Sequence, residues 1–96
     1  DLVRMMNETD KEIKEALAHK IMGYDAWVWD PLHKIEHAMQ LVPKMREKGY
    51  SFDFSMYRDS GDYIACFYPR ETGYALYIDE NPARAISLAA YEAICR

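Results

Sequence analysis

Residues 50–57 read YSFDFSMY, and their alternation decides the fold class. Tyr50, Phe52, Phe54 and Met56 fall on one side of an extended chain, with Ser51, Asp53 and Ser55 on the other. A period of two with one apolar face predicts a strand lying half-buried against a core. RDSGD, residues 58–62, has the composition of a hairpin connection and leads into YIACFY, residues 63–68. That segment is apolar on both faces, the pattern of a central strand covered on both sides. PRETG, residues 69–73, turns the chain again into YALYI, residues 74–78, a third strand.

Working outward, the period changes to that of helices on both flanks. DENP ends the sheet; Asn81 is placed to cap a helix with Pro82 in its first position, where the missing amide costs nothing. Ala85, Ile86, Ala89, Ala90 and Ala93 form its stripe. On the N-terminal side, TDKEIKEALAHKIMGY (9–24) opens with a capping box between Thr9 and Glu12. Ile13, Leu17 and Ile21 give its apolar stripe, and Gly23 is a natural stop. Between these lies a helix expected to be capped by Asp30, to start at Pro31 and to end at Gly49. Its buried stripe is expected to be Ile35, Ala38, Met39, Val42 and Met45, with a bend near Met39 caused by Pro43. Trp27–Trp29 reads as a short extended segment that can add to a sheet edge. The order is α, short β, α, β, β, β, α. It predicts an α+β domain: a three-layer α/β/α sandwich with three helices on a three- to four-stranded antiparallel sheet.

The 96 residues suit one domain burying about 65% of its unfolded surface. Residues 7–96 are read as that domain, and residues 1–6 as a tag or disordered N-terminus with Met5 or Met6 as the natural start. Half the residues are apolar and 29% are charged, which argues against disorder. No apolar run reaches the ~20 residues of a membrane span, and no signal peptide is read. A net charge of −4 without a basic stripe excludes duplex nucleic acid as an expected partner. Cys66 in a strand and Cys95 in a helix are read as buried thiols of a reducing cytosol.

HKIEH, residues 33–37, has the H-x-x-E-H form of a helical zinc motif. On a helical wheel His33 and His37 lie opposite the core stripe, near Gln40, Lys44 and Glu47. Nothing marks a third ligand or an enclosed cleft, and Glu36 beside Lys34 reads as a surface acid. The two histidines are therefore expected to be solvated, with no metal and no cofactor. The four glycines are isolated, so no phosphate loop is present, and no serine or cysteine has a local histidine partner. No catalytic residue is assigned.

Eight Tyr, two Trp and three Phe are the informative excess. Phe52, Phe54, Phe67 and Tyr63 are expected to fill the core. Trp27 and Trp29 share one face, to be covered by the first helix, a second subunit or a ligand. Arg70 in a turn and Arg84 in the first turn of the last helix could serve an anion, although Arg84 could equally pair with Asp79 or Glu80.

At HKIMGYDAWVWD (19–30), MREKGYSFDFS (45–55) and NPARAISLAAYEAI (81–94) the chain resembles the phage ABA-sandwich domain family of small bacteriophage and prophage proteins. The resemblance runs from about Thr9 to the C-terminus. It rests on four ordered landmarks: a helix ending Met22-Gly23-aromatic, a tryptophan-bearing segment, a helix ending Gly49-Tyr50, and an Ala-Arg-Ala-Ile helix. It implies an α/β/α sandwich and carries over no catalytic residues. A phage setting implies an accessory protein of the host bacterial cytoplasm that counters host defence. It would do so by sequestering a nucleotide-like immune signal or by blocking a host protein. Tyr24, Trp27, Trp29, Arg70 and Arg84 supply the stacking and phosphate chemistry for the first of these. The second would use the aromatic surface. Because YALYI carries neither charge nor proline, it is a hazard as an edge strand. A symmetric dimer or larger oligomer is expected, with Tyr74, Leu76 or the tryptophan pair at the contact.

Overall fold

A computed structural model of the chain describes residues 9–23, 28–68 and 75–95. Helix α1, Asp10–Leu17, runs into a π-helical turn, Ala18–Met22. Helices α2, Ile35–Ala38, and α3, Leu41–Glu47, follow. Strands β1, Ser51–Met56, β2, Tyr63–Tyr68, and β3, Ala75–Asp79, form one antiparallel sheet in the order β1-β2-β3. Helix α4, Pro82–Cys95, closes the order. Among the described residues the class is α+β, with three helical units, the interrupted α2–α3 counted as one, and a three-stranded antiparallel sheet.

The expected capping box is present: Thr9 Oγ1 accepts the Glu12 amide at 3.1 Å, and Glu12 Oε1 receives the Thr9 amide at 3.4 Å. Ile13, Leu17 and Ile21 are all buried. A spacing of four exceeds the α-helical repeat, and the wider π turn keeps Ile21 in line with Leu17. Gly23 then takes φ 79° and donates its amide to the Ala18 carbonyl at 2.8 Å.

The second helix departs from expectation in three ways. It begins at Ile35 rather than Pro31, because Lys34 is extended (φ −114°, ψ 116°). Asp30 contributes its carbonyl to a single turn, and its carboxylate holds His33 Nδ1 at 2.9 Å instead of capping. The bend expected near Met39 is a full interruption between Ala38 and Leu41. Pro43 has no N–H for the Met39 carbonyl, which accepts the Val42 amide at 3.2 Å instead. The interruption rotates the buried stripe. Leu32, Ala38, Leu41 and Met45 are buried, whereas Ile35 and Met39, expected inside, are exposed.

No strand forms at Val28 and Trp29, so the short edge strand expected there is absent over those two residues; Trp27 lies outside the described residues. Trp29 is buried and Val28 is exposed.

The sheet register sets Phe52 opposite Phe67, Asp53 opposite Cys66, and Cys66 opposite Leu76. One face, with Phe52, Ala65, Phe67 and Tyr77, joins the hydrophobic core, and α4 packs across β2 and β3 there. The ring centroids of Phe52 and Phe67 lie 4.9 Å apart. Phe54, expected in the core, reaches the edge; it stacks on Tyr63 at 5.7 Å but stays partly exposed. Helix α4 is buried nearly all round, at Ala83, Ala85, Ile86, Ser87, Leu88, Ala89, Ala90 and Tyr91, because α1 and α2 pack on its other side. Its alanines let both neighbours approach closely. The Ser87 hydroxyl donates to the Pro31 carbonyl, and the Tyr50 hydroxyl donates to the Ala93 carbonyl at 3.2 Å.

Candidate functional site

The sheet's second face follows from the same alternation. Ser51, Asp53 and Ser55 of β1, Ile64, Cys66 and Tyr68 of β2, and Leu76 and Ile78 of β3 point away from the core. Tyr68, Leu76 and Ile78 are exposed, and no described helix belongs to this side. An antiparallel sheet tolerates one wet face, but that face is ordinarily polar. Here β2 and β3 place apolar side chains on it.

At its centre lies a hollow of about 260 Å³ lined by Asp53, Ser55, Ile64, Cys66, Tyr68 and Leu76. The Tyr68 hydroxyl reaches diagonally across the strands and donates to Asp53 Oδ2 at 2.9 Å. That bond is the main reason the Tyr68 phenol is pushed up to about 12: the neutral form donates to a carboxylate, and ionising it would set two anions together. Burial pushes the Cys66 thiol up as well, against a smaller lowering by Tyr68, so the thiol is protonated and a poor nucleophile at neutral pH. The hollow thus offers a fixed carboxylate, a tyrosine ring, a serine and apolar walls.

The five residues assigned from sequence to a ligand site fare differently. Tyr24, Trp27 and Arg70 lie outside the described residues. Trp29 is 3% exposed, sits in the core cluster with Ile13 and Leu17, and donates its indole N–H to the His37 carbonyl at 3.3 Å. Burial inside the monomer, not a ligand, covers its ring. Arg84 is held by Asp10 at 2.9 Å and by Asp79 at 3.7 Å, the latter being one of the two partners foreseen. The α4 amides beside it are not open to an anion, since Asn81 Oδ1 accepts the Ala83 amide at 2.9 Å. A buried Trp29 ring and an ion-paired Arg84 do not present an open stacking and phosphate pair.

The histidines of HKIEH also separate. His33 precedes α2 and lies between Asp30 and Asp10, with Nε2 at 4.0 Å from Asp10. His37, expected to be solvated, is half-buried and its Nδ1 accepts the Asp30 amide at 2.7 Å. They share no helix face, because the helix starts after the first of them. Among the described residues no group of three His, Cys, Asp or Glu side chains is placed to hold a metal ion. No described helix is long and apolar enough to cross a membrane.

The hollow was missed in the sequence although its residues were visible there. The alternation in YSFDFSMY already sets Asp53 and Ser55 on the face opposite Phe52. Covering both faces of YIACFY with helices removed that face from view.

Comparison with known proteins agrees with this architecture. The model of the phage ABA sandwich domain matches residues 3–91. The structure is similar to the 2.0 Å crystal structure of a phage protein from Bacillus cereus ATCC 14579, with a TM-score of 0.73 at 19% identity. That match covers 91% of this chain and 93% of the other. At such an identity it speaks for the fold alone. No curated protein matches the chain. With nearly its whole length under the family model, the chain belongs to the phage ABA sandwich domain family.

Proposed function

We propose that this phage protein is a non-enzymatic binding protein that engages a host protein through the open face of its sheet. The observation carrying this reading is the set of exposed apolar side chains Leu76 and Ile78 beside Tyr68, on a face without helical cover among the described residues. Contiguous exposed apolar surface on a small domain marks an interaction site more often than a solvated face. Inhibition of a host defence protein, in the host cytoplasm, is the role that suits such a surface in a phage accessory protein.

A pull-down from host lysate tests the surface. The wild-type chain is expected to retain one stoichiometric protein. A Leu76→Lys, Ile78→Lys double variant, substituted only at exposed positions, is expected to lose it while keeping its fold. Retention by the variant overturns the reading.

Sequestration of a nucleotide-like immune signal is the second reading, and it rests on Tyr24, Trp27 and Arg70. It draws no help from Arg84, whose charge is taken up by two carboxylates. Calorimetric titration with cyclic and adenine-containing nucleotides decides it; absence of binding up to millimolar concentration removes it.

A further inference from the structure

We propose that the hollow at Asp53 receives the guanidinium of an arginine carried by the protein partner that docks on the open sheet face. The inference rests on the docking reading above and adds what the face selects. Three observations narrow the occupant.

The first is charge. The side chains of the described strands on this face include one carboxylate, Asp53, and no Lys, Arg or His. No ion pair joins Asp53 to a base among the described residues. A free anion would meet that carboxylate with no base among the described strand residues of this face to offset it. A second copy docked face to face on a two-fold axis would bury two such carboxylates with no cation between them. A metal would find one carboxylate and, among the described residues, no set of three ligands.

The second is geometry. Tyr68 donates to Oδ2 of Asp53 at 2.9 Å and so fixes the carboxylate, leaving Oδ1 to accept from a newcomer. The Tyr68 ring lines the hollow beside it, and aromatic rings attract cations through their π electrons. A planar guanidinium can lie on a ring and donate edge-on to a carboxylate oxygen, which a compact ammonium does less well.

The third is size. At about 260 Å³ the hollow is at or below the lower end of the ~300–1,000 Å³ of small-molecule pockets. It has room for one side chain, and Ile64 and Leu76 would flank its methylene stem.

Amide-shift NMR of the ¹⁵N-labelled protein tests the proposal with two blocked tripeptides, Leu-Arg-Leu and its neutral isostere Leu-citrulline-Leu. The arginine peptide is expected to shift the amides of Asp53, Ser55, Cys66 and Leu76 saturably. The citrulline peptide is expected not to, and Asp53→Asn should weaken the arginine peptide about tenfold, as for loss of a charge-assisted pair. Equal shifts by both peptides would overturn the guanidinium claim while leaving the docking face standing. Shifts confined to other surfaces, or none at the peptides' solubility limit, overturn it too. The lysate experiment with the Leu76→Lys, Ile78→Lys variant fails or succeeds independently of this result.

Discussion

The imidazole Nδ1 of His37 accepts the backbone N–H of Asp30 at 2.7 Å, while the His37 carbonyl accepts the Trp29 indole at 3.3 Å. One residue of α2 thus ties down the irregular segment that leads into it, and in the neutral ring the bond sets the proton on Nε2. His37→Ala would leave the part-buried Asp30 amide without its acceptor. A loss of about 1–3 kcal/mol is expected, read as a lower urea midpoint at unchanged slope. His33→Ala, at an exposed ring, should stay within about 0.5 kcal/mol.

The Tyr68–Asp53 bond gives an alkaline signature. The phenol is raised from 10.0 to about 12, so the folded state holds a proton that the unfolded state releases between those values. The contribution is complete below pH 10 and is lost as pH rises through 12. Tyrosinate absorbance should show one tyrosine titrating late in the folded protein, and Asp53→Asn should return it towards the ordinary value. An unchanged titration in that variant would rule out the bond.

One-sided burial of the sheet predicts an asymmetric response to truncation. Phe67 is 0% exposed and packs its ring at a tilt against Phe52, so Phe67→Ala should cost about 3–5 kcal/mol by chemical denaturation. Leu76 is 41% exposed, and Leu76→Ala should cost well under about 1 kcal/mol. Comparable losses at the two sites would mean that the second face is covered.

Arg84 bridges α1 to the end of β3 through Asp10 and Asp79, with its side chain 32% exposed. Arg84→Met should destabilise by about 0.5–1 kcal/mol at low salt, and by less at high salt where such partly exposed pairs are screened. Melting curves at two ionic strengths measure this.

The sheet order leaves β1 and β3 as edges among the described strands. Ala75–Ile78 of β3 carries no charge, and antiparallel pairing with a second copy centred on Tyr77 would set Leu76 beside Ile78 of the other chain. A dimer of this kind keeps the open face free. Light scattering after size exclusion should give twice 11.3 kDa at high micromolar concentration, and Tyr77→Pro should lower it. A wild-type mass that stays at one chain defeats the dimer.

Much of this protein was determined locally. The Thr9–Glu12 box, the Asn81 cap, the stop at Gly23 and the alternation in YSFDFSMY each act within a few residues, through hydrogen bonds and side-chain direction that the chain specifies wherever it folds. Those signals are enough for the α+β class and for the order of the first helix, the three strands and the last helix. Tertiary structure decided what each face meets. The cover of Trp29 stayed open between the first helix, a second subunit and a ligand because a short segment has no inside of its own; the core cluster that also holds Ile13 and Leu17 supplied it. Helix α2 slipped its start and its stripe because the carbonyl ahead of Pro43 needed another donor and Leu32 and Leu41 were the better core residues. The hollow at Asp53 exists because three strands meet in one register and α4 takes only one side of them, a choice made by the sum of buried area over the whole domain and by no stretch of it alone.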